Sequence, residues 1–159
     1  MKKCSQILCI YGAQNSGKTY LITQLIKILT KQQYKVATIK HVHHKDFTVD
    51  TPGKDSFAHK RAGANTVVIS AKKETSYILD REQSLEEIIR TIELIKSPDI
   101  ILAEGFKQAK FKKIRVGNTK RLVNTIITVP HFRWRKTKKY MKAVKRIVEY
   151  INEKNRNIY

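Results

Sequence analysis

Ile7-Leu8-Cys9-Ile10-Tyr11-Gly12-Ala13-Gln14-Asn15-Ser16-Gly17-Lys18-Thr19 is the stretch whose reading decides the fold. It opens with a near-continuous apolar run, the pattern of a parallel strand covered on both faces. It then reads Gly-x-x-x-x-Gly-Lys-Thr, a spacing in which each residue type has a physical task. Gly12 and Gly17 permit tight turns whose N–H groups converge on phosphate oxygens. A helix opening beside Gly17 adds the positive end of its dipole. Lys18 brings a point charge to the β- and γ-phosphates, and the Thr19 hydroxyl is a ligand for Mg²⁺. The predicted nucleotide-binding set is Gly12, Asn15, Ser16, Gly17, Lys18, Thr19 and Tyr20, with Lys18 also a catalytic candidate.

Working outward, short buried strands alternate with amphipathic helices, the mark of an α/β domain. Leu21, Ile22, Leu25, Ile28 and Leu29 fall on one face of a first helix, from about Gly17 to Lys31. Val36–Ile39 reads as a second strand, followed by a polar loop from Lys40 to about Lys54. A short helix ends at Ala62-Gly63, where Gly63 suits a left-handed cap. Thr66–Ser70 and Ser76–Leu79 read as neighbouring strands around the turn Lys72-Lys73-Glu74. Ser84-Leu85-Glu86-Glu87 has the capping-box pattern and opens a helix that stops before Pro98. Asp99–Glu104, Lys112–Val116 and Val123–Val129 read as further strands. A last basic helix spans about Thr137 to Asn152, with Met141, Val144, Ile147, Val148 and Ile151 as its inward stripe. The fold class predicted is a P-loop NTPase three-layer sandwich, a mostly parallel sheet with helices on both faces. A single nucleotide-binding domain over residues 1–159 is expected, without repeat or linker.

Composition bounds the class. The chain has 159 residues, 41% of them hydrophobic, enough to bury one sizeable core. No apolar run approaches the roughly 18 residues of a membrane span. Met1-Lys2-Lys3-Cys4-Ser5-Gln6 leads into a strand with no signal-peptide pattern, so a cytoplasmic protein is expected. Cys4 and Cys9, five residues apart in one strand, would lie about 16 Å apart on opposite faces. That excludes a disulfide between them and leaves two plain thiols, Cys9 in the core. The unusual quantity is charge: 33 Lys and Arg against 13 Asp and Glu give a formal net charge of +20. Such a field attracts anions of any kind, or reflects a general compositional bias.

Two further clusters carry chemistry. Glu104 ends an apolar strand beside the phosphate loop, where such proteins hold Mg²⁺ or its bound water, and is the second catalytic candidate. Lys40-His41-Val42-His43-His44 leads through Asp50 into Pro52-Gly53-Lys54-Asp55-Ser56. Metal ligation by histidine is disfavoured, because His41 and His43 would share a strand face while His44 points away, and no cysteine pair accompanies them. Lys40, His41, His43, His44, Lys54 and Asp55 read instead as a substrate or switch loop contacting phosphate, or as solvated side chains. Thr19, Asp50 and Glu104 form the candidate Mg²⁺ set, with Asp55 as an alternative carboxylate.

Together these motifs resemble the molybdopterin-guanine dinucleotide biosynthesis protein B family. The likeness rests on Gly12–Thr19, on Lys40–His44 with Asp50 and Pro52–Ser56, on Ala62-Gly63-Ala64, and on Ile101–Lys107, over roughly two thirds of the chain. It implies a GTP-binding, weakly GTP-hydrolysing homodimer that assists a partner guanylyltransferase in attaching GMP to molybdopterin. Lys18 and Thr19 would serve phosphate and Mg²⁺, with Asp50 and Glu104 near the metal. One departure stands out. Relatives often carry an acidic residue near the base after the last central strand, where this chain reads Pro130-His131-Phe132-Arg133. No Asn-Lys-x-Asp motif appears, so guanine preference rests on the resemblance alone.

Three other readings remain open at this level. A small-molecule kinase would need an arginine-bearing lid, for which Lys107–Arg121 is the candidate. A nucleotide-dependent adaptor would use hydrolysis only incidentally. Nucleic acid, or an acidic partner, would be met by the basic, aromatic-interleaved run His131–Tyr140.

Overall fold

The structure, a computed structural model, describes residues 4–44 and 46–156. Met1–Lys3, Lys45 and residues 157–159 lie outside the described part, including the start of the N-terminal segment and one member of the histidine-rich stretch. The chain divides into two compact units, one running up to His41 and resuming at Leu85, the other Val42–Ser84.

The first unit is built on a five-stranded parallel sheet. Its strands are β1 (Gln6–Gly12), β2 (Val36–Lys40), β5 (Ile100–Glu104), β6 (Lys112–Val116) and β7 (Thr125–Val129), in the order β2-β5-β1-β6-β7. Side chains alternate across a strand, so parity divides the core in two. Leu8, Ile10, Ile100 and Leu102 point to one face, where α1 (Lys18–Lys31) and α4 (Lys138–Arg156) contribute Leu21, Leu25, Leu29, Val144 and Ile147. Cys9, Ile101 and Ala103 point to the other, against Leu85 and Ile89 of α3 (Leu85–Ile95). The three-layer P-loop sandwich predicted from the sequence is therefore the fold. With β1 between β5 and β6, Gly12 emerges at the carboxyl edge of the sheet, where open α/β folds place their ligands.

The second unit holds α2 (Asp55–Arg61) and an antiparallel hairpin of β3 (Thr66–Ser70) and β4 (Thr75–Leu79), closed by Ala71 N–H donating to Glu74 O. Gly63 takes φ +106° after α2, as a left-handed cap requires. Lys60 pairs with Asp80 at 2.9 Å.

Several boundaries depart from the sequence reading. Cys4 precedes β1 and is exposed, while Cys9 is fully buried, and burial pushes its thiol up to about 11. β7 begins at Thr125, two residues later than expected. Asn124 has φ +64° and the Thr125 hydroxyl closes a turn on Leu122 O, which leaves Val123 exposed. Met141 is 59% exposed, and the inward place in the first turns of α4 belongs to Tyr140. Hydropathy ranks Met above Tyr, but helical phase decides which one faces the sheet. Among the described residues no helix is long and apolar enough to cross a membrane.

Candidate phosphate-binding site

The loop between β1 and α1 is shaped by its neighbours as much as by its own residues. Ser16 N–H donates to Ala13 O at 3.3 Å, Asn15 sits at φ +56° and Gly17 at φ +99°. Side chains are excluded at both glycines of the motif for a steric reason. A Cβ on Gly12 would stand 2.4 Å from Val116 O, and one on Gly17 would stand 2.1 Å from Phe132 Cβ. Real Cβ atoms do not approach so closely, so the loop has the shape of this motif because β6 and Phe132 leave room for nothing else.

Lys18 opens α1, and its ammonium reaches back over the loop to donate to Ala13 O at 2.8 Å. Thr19 Oγ1 donates to Glu104 Oε2 at 3.1 Å, so the hydroxyl and the carboxylate predicted for Mg²⁺ are brought together from distant parts of the sequence. Ser16 Oγ is buried without a hydrogen-bond partner among the described residues. Tyr20 is 37% exposed and stands 6.3 Å and 6.5 Å, ring to ring, from Tyr140 and Phe132. Burial, with Tyr20 adding to it, pushes the Tyr140 phenol up to about 12.

Glu104 ends β5 beside the end of β2, in register with Lys40. The chain then turns through two left-handed residues, Gly105 at φ +98° and Phe106 at φ +49°. A left-handed phenylalanine is uncommon and costs energy, which marks this turn as held by its surroundings. His41 supplies part of that hold. Its N–H donates to Glu104 O at 3.0 Å, and its ring meets Phe106 edge-on at 4.9 Å.

The histidine cluster lies in the loop expected after the second strand, but the shared strand face expected for His41 and His43 is absent. β2 ends at Lys40, so His41, His43 and His44 follow the strand and do not alternate on it. His41 belongs to the sheet unit, while His43 and His44 belong to Val42–Ser84, as do Asp50, Lys54 and Asp55. Within that unit Asp50 Oδ1 accepts from Thr51 N–H at 2.9 Å and Ser56 Oγ at 2.8 Å, and its Oδ2 is buried without a partner among the described residues. Lys54 precedes α2, and Asp55 is its first residue, at the positive end of the helix dipole.

The Lys107–Arg121 stretch is not a lid. Its centre is β6, whose Lys113 is buried and donates to the carbonyls of Ala109 and Phe111. Arg115 is bound to Thr128 Oγ1 and Thr119 O, and Arg121 donates to Thr125 O. Both guanidinium groups are committed to the sheet edge.

Phe132 is the residue that sequence reasoning missed. Its N–H donates to Ser16 O at 3.0 Å while its side chain covers Gly17. The only signal was the departure at Pro130–Arg133, which carries no information about what that segment touches.

Against known proteins, a family profile described as molybdopterin guanine dinucleotide synthesis protein B (MobB) matches residues 7–130. The molybdopterin-guanine dinucleotide biosynthesis adapter protein of Haemophilus influenzae is 34% identical over 110 residues, which are 68% of this chain and 61% of the relative. The protein of the same name from Escherichia coli is 32% identical over 112 residues, 68% of this chain and 63% of the relative. The matched stretch thus spans a little under two thirds of these relatives' length. The crystal structure of Bacillus subtilis MobB superposes with a TM-score of 0.68 at 27% identity, covering 84% of this chain and 82% of that one. A MobB homologue from Bacillus stearothermophilus, at 17% identity and a TM-score of 0.62, covers 96% and 97% and shares the fold. The profile match runs from the first strand of the sheet to the end of the last, and it takes in both halves of the site, the phosphate loop and Glu104. The chain belongs to the MobB family.

Proposed function

We propose that this protein binds GTP at the Gly12–Thr19 loop, hydrolyses it weakly, and assists a partner guanylyltransferase that attaches GMP to molybdopterin. The observation that carries the reading is the meeting of Thr19 Oγ1 and Glu104 Oε2 at 3.1 Å beside a loop shaped for phosphate. A hydroxyl and a carboxylate are hard oxygen donors suited to Mg²⁺, which keeps most of its waters and takes one or two protein ligands beside the phosphates. Bound there, the ion would neutralise charge developing between the β- and γ-phosphates. Lys18 holds the same phosphates by charge, the α1 N-terminus orients them, and Glu104 fixes the ion or a water bound to it. Asp50, whose Oδ2 is buried and partnerless among the described residues, is a further acceptor for a cation. A homodimer is in keeping with the apolar hairpin, on which Val68 and Tyr77 are 50% and 62% exposed.

Calorimetric titration of GTP and guanosine, with and without Mg²⁺, tests the reading. Lys18→Ala is expected to weaken GTP binding about a hundredfold, about 3 kcal/mol, while leaving guanosine binding unchanged. Glu104→Gln is expected to slow hydrolysis about tenfold or more with metal-free binding intact. A folded Lys18→Ala protein with normal GTP affinity would refute it. The word adapter in the relatives' names favours a variant of this function in which hydrolysis is incidental. In that variant Glu104→Gln would stimulate dinucleotide synthesis as well as the parent does.

A further inference from the structure

The excess charge is not spread evenly. Between Gly105 and Val148 the chain carries 15 of its 33 Lys and Arg and no Asp or Glu. A compositional bias of the whole protein would not clear one stretch of acid while leaving 13 acidic residues elsewhere. Of the exposed cations in that stretch, Lys107, Lys110, Lys112, Lys120 and Arg121 lie along β6 and its flanking loops, and the other seven run from Arg133 to Arg146, over the 3-10 turn Phe132–Trp134, the turn after it and α4. Tyr140, Ala143, Val144 and Ile147 pack inward, and Lys138, Lys142 and Arg146 form one outward stripe at four-residue spacing. Like charges at that spacing repel, and cations in the first turn oppose the helix dipole. No acidic residue stands in that turn, and Glu149, past the end of the stripe, pairs with Lys145. The face is electrostatically unfavourable in isolation, and an anionic partner relieves it. It also lies beyond residue 130, where the family match ends.

The aromatic residues choose between anions. Single-stranded nucleic acid is bound by basic grooves with open ring faces on which bases stack. Here Arg133 lies over the Trp134 ring at 5.7 Å and Arg135 over the Phe132 ring at 5.5 Å. The rings back the guanidinium groups and hold them in place, the arrangement that suits bidentate binding of carboxylates. We propose that Arg133, Lys136 and the Lys138–Lys142–Arg146 stripe dock an acidic protein surface, that of the guanylyltransferase this protein assists. The identity of the partner rests on the function proposed above, whereas the anionic chemistry rests on the surface itself. The docking face begins one residue after Phe132, whose N–H is bonded to Ser16 of the phosphate loop, so the partner arrives beside the nucleotide.

The experiment measures binding of the purified guanylyltransferase from the same cell to the full-length protein at low and moderate salt. The triple variant Lys138→Glu, Lys142→Glu, Arg146→Glu should weaken it at least thirtyfold. A matched reversal on α1 and its following loop, Lys27→Glu, Lys31→Glu, Lys35→Glu, should change it less than threefold. The milder Lys138→Gln, Lys142→Gln, Arg146→Gln set gives an intermediate loss if the reversal disturbs folding. GTP affinity, which depends on Lys18, should stay within twofold in all of them, so failure of the nucleotide reading is scored separately. Equal losses from the two reversals would overturn the proposal. So would binding of a 20-residue oligothymidylate more tightly than the guanylyltransferase at moderate salt.

Discussion

The sheet unit and the Val42–Ser84 unit are built on different terms. In the first, β1 and β5 bury nearly every residue, and helices cover both faces of the sheet. In the second, α2 buries no residue and the hairpin buries only Val67 among its strand positions. One unit is held by packing that constrains each position; the other presents short elements whose residues mostly face outward. A site that must keep charges fixed against a triphosphate needs the first kind of scaffold. A segment that must change shape is drawn from the second.

The contrast can be broken at its strongest point by truncating one side chain in each unit. Leu102→Ala, in the fully buried β5, should cost about 2–5 kcal/mol in urea unfolding. Val68→Ala, half exposed in the hairpin, should cost no more than about 0.5 kcal/mol. Similar costs would mean that the second unit is covered as firmly as the first.

Two glycines with positive φ sharpen it further. Gly17→Ala meets both a strained φ and the Phe132 side chain, and should lose about 3 kcal/mol of GTP affinity, read by titration. Gly53 has φ +88°, but no described atom lies within 4 Å of the place a Cβ would take, so Gly53→Ala should cost only about 1 kcal/mol of stability. A Gly17→Ala protein that binds GTP normally would show that the loop can yield where the packing says it cannot.

The pH dependence of the buried face gives a subtler measure. The Cys9 thiol is raised from 9.0 to about 11, chiefly by burial. Keeping it neutral therefore favours the folded state below pH 9, and that contribution is lost as pH rises from 9 towards 11. The stability difference between the parent and Cys9→Ala should shrink across that window. In alkylation at pH 8.5, Cys4 should react and Cys9 should not until the protein unfolds. The smallest effect is expected from His43→Ala with His44→Ala, which should leave GTP affinity within twofold while lowering stimulation of dinucleotide synthesis. Unchanged stimulation would make that pair a solvated loop.

The same contrast explains what was legible in the sequence. Ile7–Thr19 declared itself because its tasks are local: an apolar run, two glycines, a lysine and a helix start are all contiguous. Glu104 was legible for a similar reason, as an acid ending a buried strand. The loop that carries the histidines was legible from its polar composition after Val36–Ile39, but the strand face assigned to His41 and His43 was not there, because the ladder stops at Lys40. Phe132 was invisible because its role is made by a contact between segments far apart in sequence. Met141 and Tyr140 exchanged places because hydropathy alone does not fix the phase of a helix at its first turn.

The position of β1 has a consequence for how the protein is made. Its two neighbours in the sheet begin at Ile100 and Lys112. A ribosome that has reached Lys96 has long since finished the phosphate-binding motif, yet none of the strands that flank it exists. The residue that closes over Gly17 emerges later still, with Phe132. The earliest chemical signal in the chain is thus the last to become a working site, and a nascent or prematurely ended chain carries the motif without the means to hold a nucleotide.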